Sequence, residues 1–263
     1  MTDPTGDEPD WRAGLPAWVR EDRPLDEPGW TTEFRMTFVV DYLEQHANER
    51  KLRLFASACC RRVWDLLSVP AARRIVELSD ALADGADASA ELRALHESSD
   101  FVELDALAQE DAPRADVRIS ACGLDALRCA RSLAARDGFD LYLIVQNTSR
   151  DLTKDFVRSS WNYQIGRSPG PDAAEFAFKE RLLRDIFGNP FRPVSFNPAW
   201  RTDTAVSLAR TMYDSREFGA MPILADALQD AGCEDEQVLT HCRDANQVHV
   251  RGCWVCDLVL GKD

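Results

Sequence analysis

Six residues that can bind a metal lie within 24 positions of one another in the last part of the sequence. They are Cys233, His241, Cys242, His249, Cys253 and Cys256. Thiolate sulfur and imidazole nitrogen are preferred ligands of zinc, which structural sites hold in a tetrahedral set of four. If residues 249–256 form a helix, His249, Cys253 and Cys256 share one face of it. With Cys242 or Cys233 as a fourth ligand, they would complete a structural zinc site.

Core packing is the other interpretation of these cysteines, and it is the one that we favour. Free cysteine is among the most buried residue types and behaves as a small hydrophobic side chain. The segment CWVCDLVL (253–260) is apolar except for one acid, which is typical of a buried helix. We therefore expect no cofactor, sulfurs separated by packing, and a His249 that is hydrogen-bonded or exposed. The zinc alternative has four candidate ligands, Cys242, His249, Cys253 and Cys256.

Asp257 is the one charged residue of that apolar segment. A buried carboxylate needs a cation or several hydrogen-bond donors. Arg251, or an arginine of the pair at 61–62, could supply the cation, and we favour such a structural ion pair. The alternative is a catalytic acid in an enzyme of unfamiliar class, whose site would lie near His241, His249, Cys253 and Asp257.

Motifs of familiar enzymes are absent from the sequence. It contains no GxxxxGK[ST], GxGxxG, GxSxG or HExxH. The dipeptide at 96–97 begins like the last of these, but Asp100 stands where the second histidine is required. Residues 80–91 partly match a calcium loop, but Leu82 occupies a ligand position, so we interpret Gly85 as the end of a helix. No catalytic residue is assigned.

The composition favours an acidic globular protein. The 263 residues carry 45 acids and 31 lysines and arginines, a net charge of −14, which disfavours binding to nucleic acid. No apolar run reaches the roughly 18–20 residues that span a bilayer, and the first residues do not match a secretory signal. Eight cysteines in such a chain indicate free thiols in a reducing compartment. We predict a cytoplasmic protein with no membrane partner.

The charge is unevenly distributed. Residues 50–74 contain seven basic side chains and one acid, whereas residues 224–246 contain six acids and one arginine. In one interpretation the basic side chains pair with nearby acids or with the acidic region, so at least one arginine meets an internal carboxylate. In the other they form an anion-binding or partner-docking patch. The candidates for partner binding are Arg50, Arg53, Arg61 and Arg62, together with Trp11 and Trp18.

The spacing of apolar residues predicts an all-α fold, an irregular array of about ten helices. Leu52, Phe55 and Cys59, for example, form a stripe on an arginine-rich helix. The segment DLYLIV (140–145) could be a strand, but nothing nearby is typical of its partner. The breaks divide the chain into a Pro- and Trp-rich arm at 1–30, a helical region at 31–165 and a helical region at 172–263.

The segment FGNPFRPVSFNPAW (187–200) contains three prolines and four aromatic residues. The prolines exclude a helix, and the aromatic rings favour contact with the body of the protein. We predict an extended strap that crosses the C-terminal helices, with Phe187, Phe191 and Trp200 buried and Phe196 also in contact.

Several segments resemble a large family of paralogous bacterial proteins to which no biochemical role is attached. They are RKLRLFASACCRRVWDLL (50–67), LLRDIFGNPFRPVSFNPAW (182–200), MPILADALQDAGCEDEQVLTHCRD (221–244) and HVRGCWVCDLVLGK (249–262), nearly half of the chain. Relatives tend to have cysteine at Ser57 and an apolar residue at Cys256. If a metal site is general to the family, the resemblance favours as its ligands Cys233, His241, Cys242, His249 and Cys253.

These observations lead to a functional hypothesis. We predict a non-catalytic helical module, an adaptor or regulatory component, that binds another protein such as one encoded nearby. All-helical patterning, separate charged regions, an aromatic arm and the absence of enzyme motifs favour it. An enzyme of unfamiliar class and a structural-zinc protein are the alternatives.

Overall fold

The computed structural model describes residues 26, 27, 30, 36–109, 127, 128, 130–133 and 172–262. Within these ranges the chain is α-helical and contains no β-strand, which confirms the all-α prediction. Trp11, Trp18 and the segment 140–145 lie outside the described residues. Among the helices that are described, none combines the length and the apolar character that crossing a membrane requires.

Ten α-helices are delimited within the described ranges. In chain order they are α1 (Met36–His46), α2 (Glu49–Arg62), α3 (Pro70–Ala83), α4 (Ser89–His96), α5 (Ser99–Ala108), α6 (Asp172–Phe187), α7 (Asp203–Ser215), α8 (Met221–Asp230), α9 (Glu236–Arg243) and α10 (Trp254–Leu260). Further helical residues occur between 127 and 133.

Local sequence fixes the starts of the helices that carry the functional side chains. Asn48 precedes α2, and its side-chain oxygen accepts a hydrogen bond from the Lys51 backbone N–H at 2.8 Å. Pro70 occupies the first turn of α3, where its missing N–H costs nothing. Asp235 precedes α9 and accepts from the backbone N–H of Val238 at 3.2 Å. Such caps stabilise a helix by about 1 kcal/mol each.

The first hydrophobic core lies between α2, α3, α5 and α6. Phe55, Ile75, Leu104 and Leu183, one from each helix, are almost completely buried in it. Trp30 joins this core with only 1% of its surface exposed. The end of the 1–30 arm is therefore packed onto the body, as its tryptophan content predicts.

The second hydrophobic core lies between α7, α8, α9 and α10. Met212, Leu224, Val238 and Val255 each contribute a buried side chain. Four cysteines belong to it as well, Cys233, Cys242, Cys253 and Cys256. All six cysteines that the structure describes are buried free thiols, so the expected burial of cysteine is confirmed for them.

The strap at 187–200 contacts both cores. Phe187 and Phe191 pack against the first core, whereas Phe196 and Trp200 pack against the second, with their ring centroids 5.2 Å apart. The expectation that Phe187, Phe191 and Trp200 are buried is wrong, because each is only partly buried. Phe187 is the last residue of α6, and Pro198–Trp200 forms a short 3-10 helix, so the non-helical strap is limited to the residues between them.

The turn before α10 approaches α2 closely. Gly252 has a φ of +97°, and a Cβ atom added there would lie 2.9 Å from Cδ1 and 3.2 Å from Cβ of Leu54. Glycine is the residue that tolerates both this backbone conformation and this contact. Because Cys253 follows directly, the contact between the turn and α2 also fixes the position of the Cys253 side chain.

We expect Gly252→Ala to lower the free energy of unfolding by about 2–4 kcal/mol, because the methyl group adds backbone strain and a clash with Leu54. Gly85→Ala is the matched control, since Gly85 has a φ of +80° and nothing lies within 4 Å of its added Cβ. Backbone strain alone should cost that variant about 1 kcal/mol. Urea unfolding followed by circular dichroism measures both. If both variants lose the same free energy of unfolding, the contact with Leu54 has no role in the effect.

Candidate metal centre

Four side chains from distant parts of the sequence converge where α6, α9 and α10 meet. Asp185 lies near the end of α6, His241 lies in α9, His249 lies in the loop between α9 and α10, and Cys253 immediately precedes α10. Asp185 and Cys253 have no exposed surface, and the side chains of the two histidines are 8–10% exposed. One ligand atom from each residue lies within 4.8 Å of the other three.

The distances within this group are close to those of a tetrahedral site. The Asp185 Oδ1 atom is 2.8 Å from His249 Nδ1 and 3.1 Å from His241 Nε2. The Cys253 Sγ atom is 3.3 Å from His241 Nε2 and 3.9 Å from His249 Nδ1. Ligands held at the usual zinc distances on tetrahedral corners are roughly 3.3–3.6 Å apart. The four distances differ from this range by at most about 0.5 Å. The remaining two, from Asp185 to Cys253 and from His241 to His249, do not exceed 4.8 Å.

Neighbouring groups hold the ligands in orientation. The Val250 backbone N–H donates to Asp185 Oδ2 at 2.8 Å, which leaves Oδ1 directed at the histidines. The His241 ring lies between His249, at a centroid distance of 5.0 Å, and Trp254, at 5.1 Å. Contacts from outside the group, such as these, determine which carboxylate oxygen and which ring nitrogen face its centre.

Without a metal ion, these four buried side chains can balance their charges only with protons, which is unfavourable. Burial alone would lower the pKa of His249, but hydrogen bonds to Asp185 and Cys253 raise it to about 10. The pKa of His241 is likewise raised to about 9, against burial, by Cys253 and Asp185. Burial also raises the pKa of the Cys253 thiol well above its usual 9.0. The protons that the two imidazoles hold in the presence of Asp185 therefore compete with the proton that the buried thiol retains.

A divalent ion would suit both the charge and the geometry of this group. Its two positive charges would balance a carboxylate and a thiolate, since a bound cation deprotonates a coordinating thiol. In addition, the one N–H at His241 Nε2 cannot point at Asp185 Oδ1 and at Cys253 Sγ together, whereas an ion at the centre could be bound by both of these atoms and by the nitrogen.

Two of the four predicted zinc ligands belong to this group. His249 and Cys253 are in it, whereas Cys242 and Cys256 are outside it. Burial raises the pKa of the Cys242 thiol, and Cys256 contacts Met221 Sδ at 3.7 Å. The buried helix predicted in 253–260 is confirmed as α10, but the helix over 249–256 that a shared face would require does not form, because Gly252 adopts a positive φ and α10 begins only at Trp254. A turn, not a shared helical face, brings His249 and Cys253 together.

Asp185 is the ligand that the sequence analysis missed. It lies in LLRDIF, and its neighbours Leu182, Leu183 and Ile186 are completely buried. A carboxylate on the apolar face of a helix is the signal that singled out Asp257, and the same criterion applied to α6 finds Asp185. The expectation that His249 is hydrogen-bonded is confirmed, with Asp185 as its partner.

A second polar cluster joins α2 to α10. Arg50 donates to Asp257 through two nitrogens at 2.7 and 2.9 Å, and Lys51 Nζ lies 3.3 Å from the same carboxylate. Asp257 therefore forms a structural ion pair, as predicted, but the predicted cations are wrong: Arg50 pairs with it, whereas Arg61 pairs with Asp80 and Arg251 with Asp84. Asp257 is not one of the four residues grouped with His241. The alternative of a catalytic site near these residues stays a prediction.

The candidate partner-binding arginines occupy different environments. Arg50 and Arg61 pair with the internal carboxylates of Asp257 and Asp80, which confirms that at least one arginine of this segment does so. Arg53 pairs with Glu49 on its own helix at 2.7 Å. Arg62 stacks over the ring of a nearby phenylalanine at 4.8 Å. Partner binding by these arginines, and by the two tryptophans outside the described residues, stays a prediction.

Asp84 extends the second cluster. The Tyr213 hydroxyl donates to Asp84 Oδ1 at 2.5 Å, Lys262 Nζ donates to the same oxygen at 2.9 Å, and Arg251 pairs with Oδ2. Burial alone would raise the pKa of this carboxyl, but the hydrogen bonds and the nearby cations lower it below 3.8. Asp84 is therefore a buried acid that the fold keeps ionised.

Comparison of the chain with protein-family models, with curated proteins and with solved structures finds no match. The resemblance to a bacterial paralogous family stays a prediction.

The depressed pKa of Asp84 predicts a dependence of stability on pH. A group whose pKa is lower in the folded state stabilises fully above its unfolded pKa, here 3.8, and loses that contribution as pH falls through the folded value. At pH 7, Asp84→Asn should lower the free energy of unfolding by about 2–4 kcal/mol, because Arg251 and Lys262 lose their counter-charge. The difference between variant and wild type should shrink between pH 5 and pH 3.

Chemical denaturation at a series of pH values measures this difference. Asp214→Asn is the control, because Asp214 is an exposed acid of α7 next to Tyr213. That variant should follow the wild type at every pH. If Asp84→Asn lowers the free energy of unfolding by the same amount at pH 3 and at pH 7, an ionised Asp84 is contradicted.

Proposed function

We propose that this chain is a zinc-binding helical protein in which Asp185, His241, His249 and Cys253 hold the ion. One observation carries the proposal, the convergence of these four ligand atoms within 4.8 Å of one another in a buried position. Mixed nitrogen, sulfur and oxygen donors in a tetrahedral arrangement are typical of zinc sites. The site combines ligands separated by up to 68 positions, between Asp185 and Cys253. The ion would therefore stabilise tertiary structure.

A structural role for the zinc is the form of the proposal that the ligand set supports. Structural sites use four protein ligands, whereas catalytic sites use three and keep one position for water or substrate. Here four donors come from the protein, and the outer contacts from Val250 and Trp254 hold them in place. The ion would join α6 to the loop before α10 and to α9.

We expect about one zinc ion per chain in protein purified without chelator, measured by inductively coupled plasma mass spectrometry. Cys253→Ala should lower the zinc affinity by at least about 100-fold, because it removes a ligand and not merely an outer contact. Cys256→Ala is the matched control, since Cys256 is equally buried, three residues further on, and outside the ligand group. Removal of zinc should also lower the thermal unfolding temperature.

Two outcomes of this experiment contradict the proposal. One is wild-type protein that contains no zinc and takes up none on addition of zinc salts. The other is equal loss of zinc in Cys253→Ala and Cys256→Ala, which would attribute the loss to damage of the core. Cobalt substitution gives an independent reading, because tetrahedral cobalt with a thiolate ligand has intense visible absorption that Cys253→Ala should abolish.

We further propose that the zinc-held fold serves a non-catalytic function in binding another protein. A closed ligand set supports this, because it provides no open position for a substrate. The zinc-loaded chain should then retain a stoichiometric partner in a pull-down, and Cys253→Ala should lose it together with the metal. Retention of the same partner by both proteins would separate partner binding from zinc. Absence of any partner would favour the alternative, an enzyme of unfamiliar class.

A further inference from the structure

A small cavity lies between α2, α3 and the loop before α10, beside the metal centre. We name it the arginine pocket, after Arg61, Arg216 and Arg251, which line it together with Asp80, Phe218 and His249. Its volume is about 110 Å³, several times the roughly 30 Å³ that one water molecule occupies in the liquid. Aliphatic side chains from α2, among them Leu54, complete the wall.

Positive charge in the arginine pocket exceeds the negative charge available to it. Asp80 uses a single oxygen, Oδ2, for both Arg61, at 2.6 Å, and Arg216, at 2.7 Å. Arg251 pairs with Asp84, which also accepts from Lys262. Two carboxylates therefore face four cations at this point in a chain whose overall charge is −14.

The guanidinium groups also have unused donors. The Nε atom of Arg251 is buried and has no hydrogen-bond partner among the described residues. Within the same ranges, Arg216 donates to Asp80 through Nη2 alone. Unpaired buried donors are costly, and a guanidinium matches the oxygens of a phosphate or carboxylate group with two parallel hydrogen bonds. An oxyanion in the pocket would supply the missing acceptors.

The backbone at Arg216 adopts a conformation that is uncommon for a residue with a Cβ atom. Arg216 ends α7 in the left-handed conformation, with a φ of +62°, and is the only residue other than glycine with positive φ in the described part of the chain. Glycine is the usual residue at such helix ends, because a Cβ atom adds strain. The fold accepts that strain at the position from which a side chain reaches the arginine pocket.

We propose that the arginine pocket binds a phosphate group, either free inorganic phosphate or the phosphate of a monoester. The three guanidinium groups would surround the anion, and Asp80 would hold Arg61 and Arg216 in position. The lowered pKa of Arg216, caused first by burial and then by repulsion from Arg61 and Arg251, is consistent with cations that lack sufficient counter-charge. The inference goes beyond zinc binding, since none of these arginines belongs to the metal group.

Isothermal titration calorimetry on the full chain, at constant ionic strength, tests this with sodium phosphate and with phosphoserine as separate titrants. We expect saturable binding of at least one of them at one site per chain. Tighter binding of phosphate would assign the pocket to the free ion, and tighter binding of phosphoserine would assign it to a monoester. Saturable binding of neither would overturn the proposal.

Arg216→Gly separates binding from folding. Glycine relieves the backbone strain, and Arg61 still pairs with Asp80, so the thermal unfolding temperature without phosphate should stay within a few degrees of the wild type or rise. The phosphate affinity should fall by about tenfold or more, because a charged hydrogen-bond donor is lost. The control is Arg210→Gln, an exposed arginine of the same helix outside the pocket, which should bind as the wild type does.

Equal affinity in Arg216→Gly and the wild type would overturn the assignment to this pocket. If Arg216→Gly fails to fold, Arg61→Gln provides the same comparison from α2. The zinc content of the protein is measured before each titration. Failure to bind phosphate can then be distinguished from failure to bind zinc.

Discussion

The buried carboxylate of Asp185 is the group on which the C-terminal half of the structure depends. It is completely enclosed, and three donors from two other segments meet it: His241 from α9, and His249 and the Val250 N–H from the loop before α10. An isolated carboxylate in that position would be too costly to keep ionised. The arrangement of α6, α9 and the loop is therefore set by the need to surround one negative charge, with protons or, as we propose, with zinc.

The overall helical architecture could be predicted from the sequence because it depends on local information. Apolar spacing, caps such as Asn48 and Asp235, and stops such as Gly85 each act within a few residues. The metal centre depends instead on tertiary placement. The spacing of His249 and Cys253 suggested one helical face, whereas the positive φ of Gly252 creates a turn, and Asp185 lies 56 positions before His241. No periodic pattern connects residues so far apart.

The chain as a whole carries a net negative charge, whereas cations outnumber carboxylates at the junction of the two cores. Where α2 meets α7 and α10, six cations pair with only three carboxylates, those of Asp80, Asp84 and Asp257. The cations are Arg50, Lys51, Arg61, Arg216, Arg251 and Lys262. Because these groups are partly or fully buried, each attraction is stronger than in a surface pair, and the loss of one partner leaves a costly uncompensated charge. The basic segment thus first connects α2 to other helices through ion pairs. Any ligand that it binds must fit between side chains that are already paired.

The pairing of Arg50 with Asp257 spans 207 positions of the chain. At the 5–20 residues per second of protein synthesis, the acid follows the arginine by roughly 10–40 s. During that interval α2 can form and can pack on α3, but the end of α2 that carries Arg50 and Lys51 has no counter-charge from α10. The junction of the two cores consequently cannot form before α10 has been synthesised. Until then, a nascent chain would present this basic end to solvent and to any chaperone that recognises it.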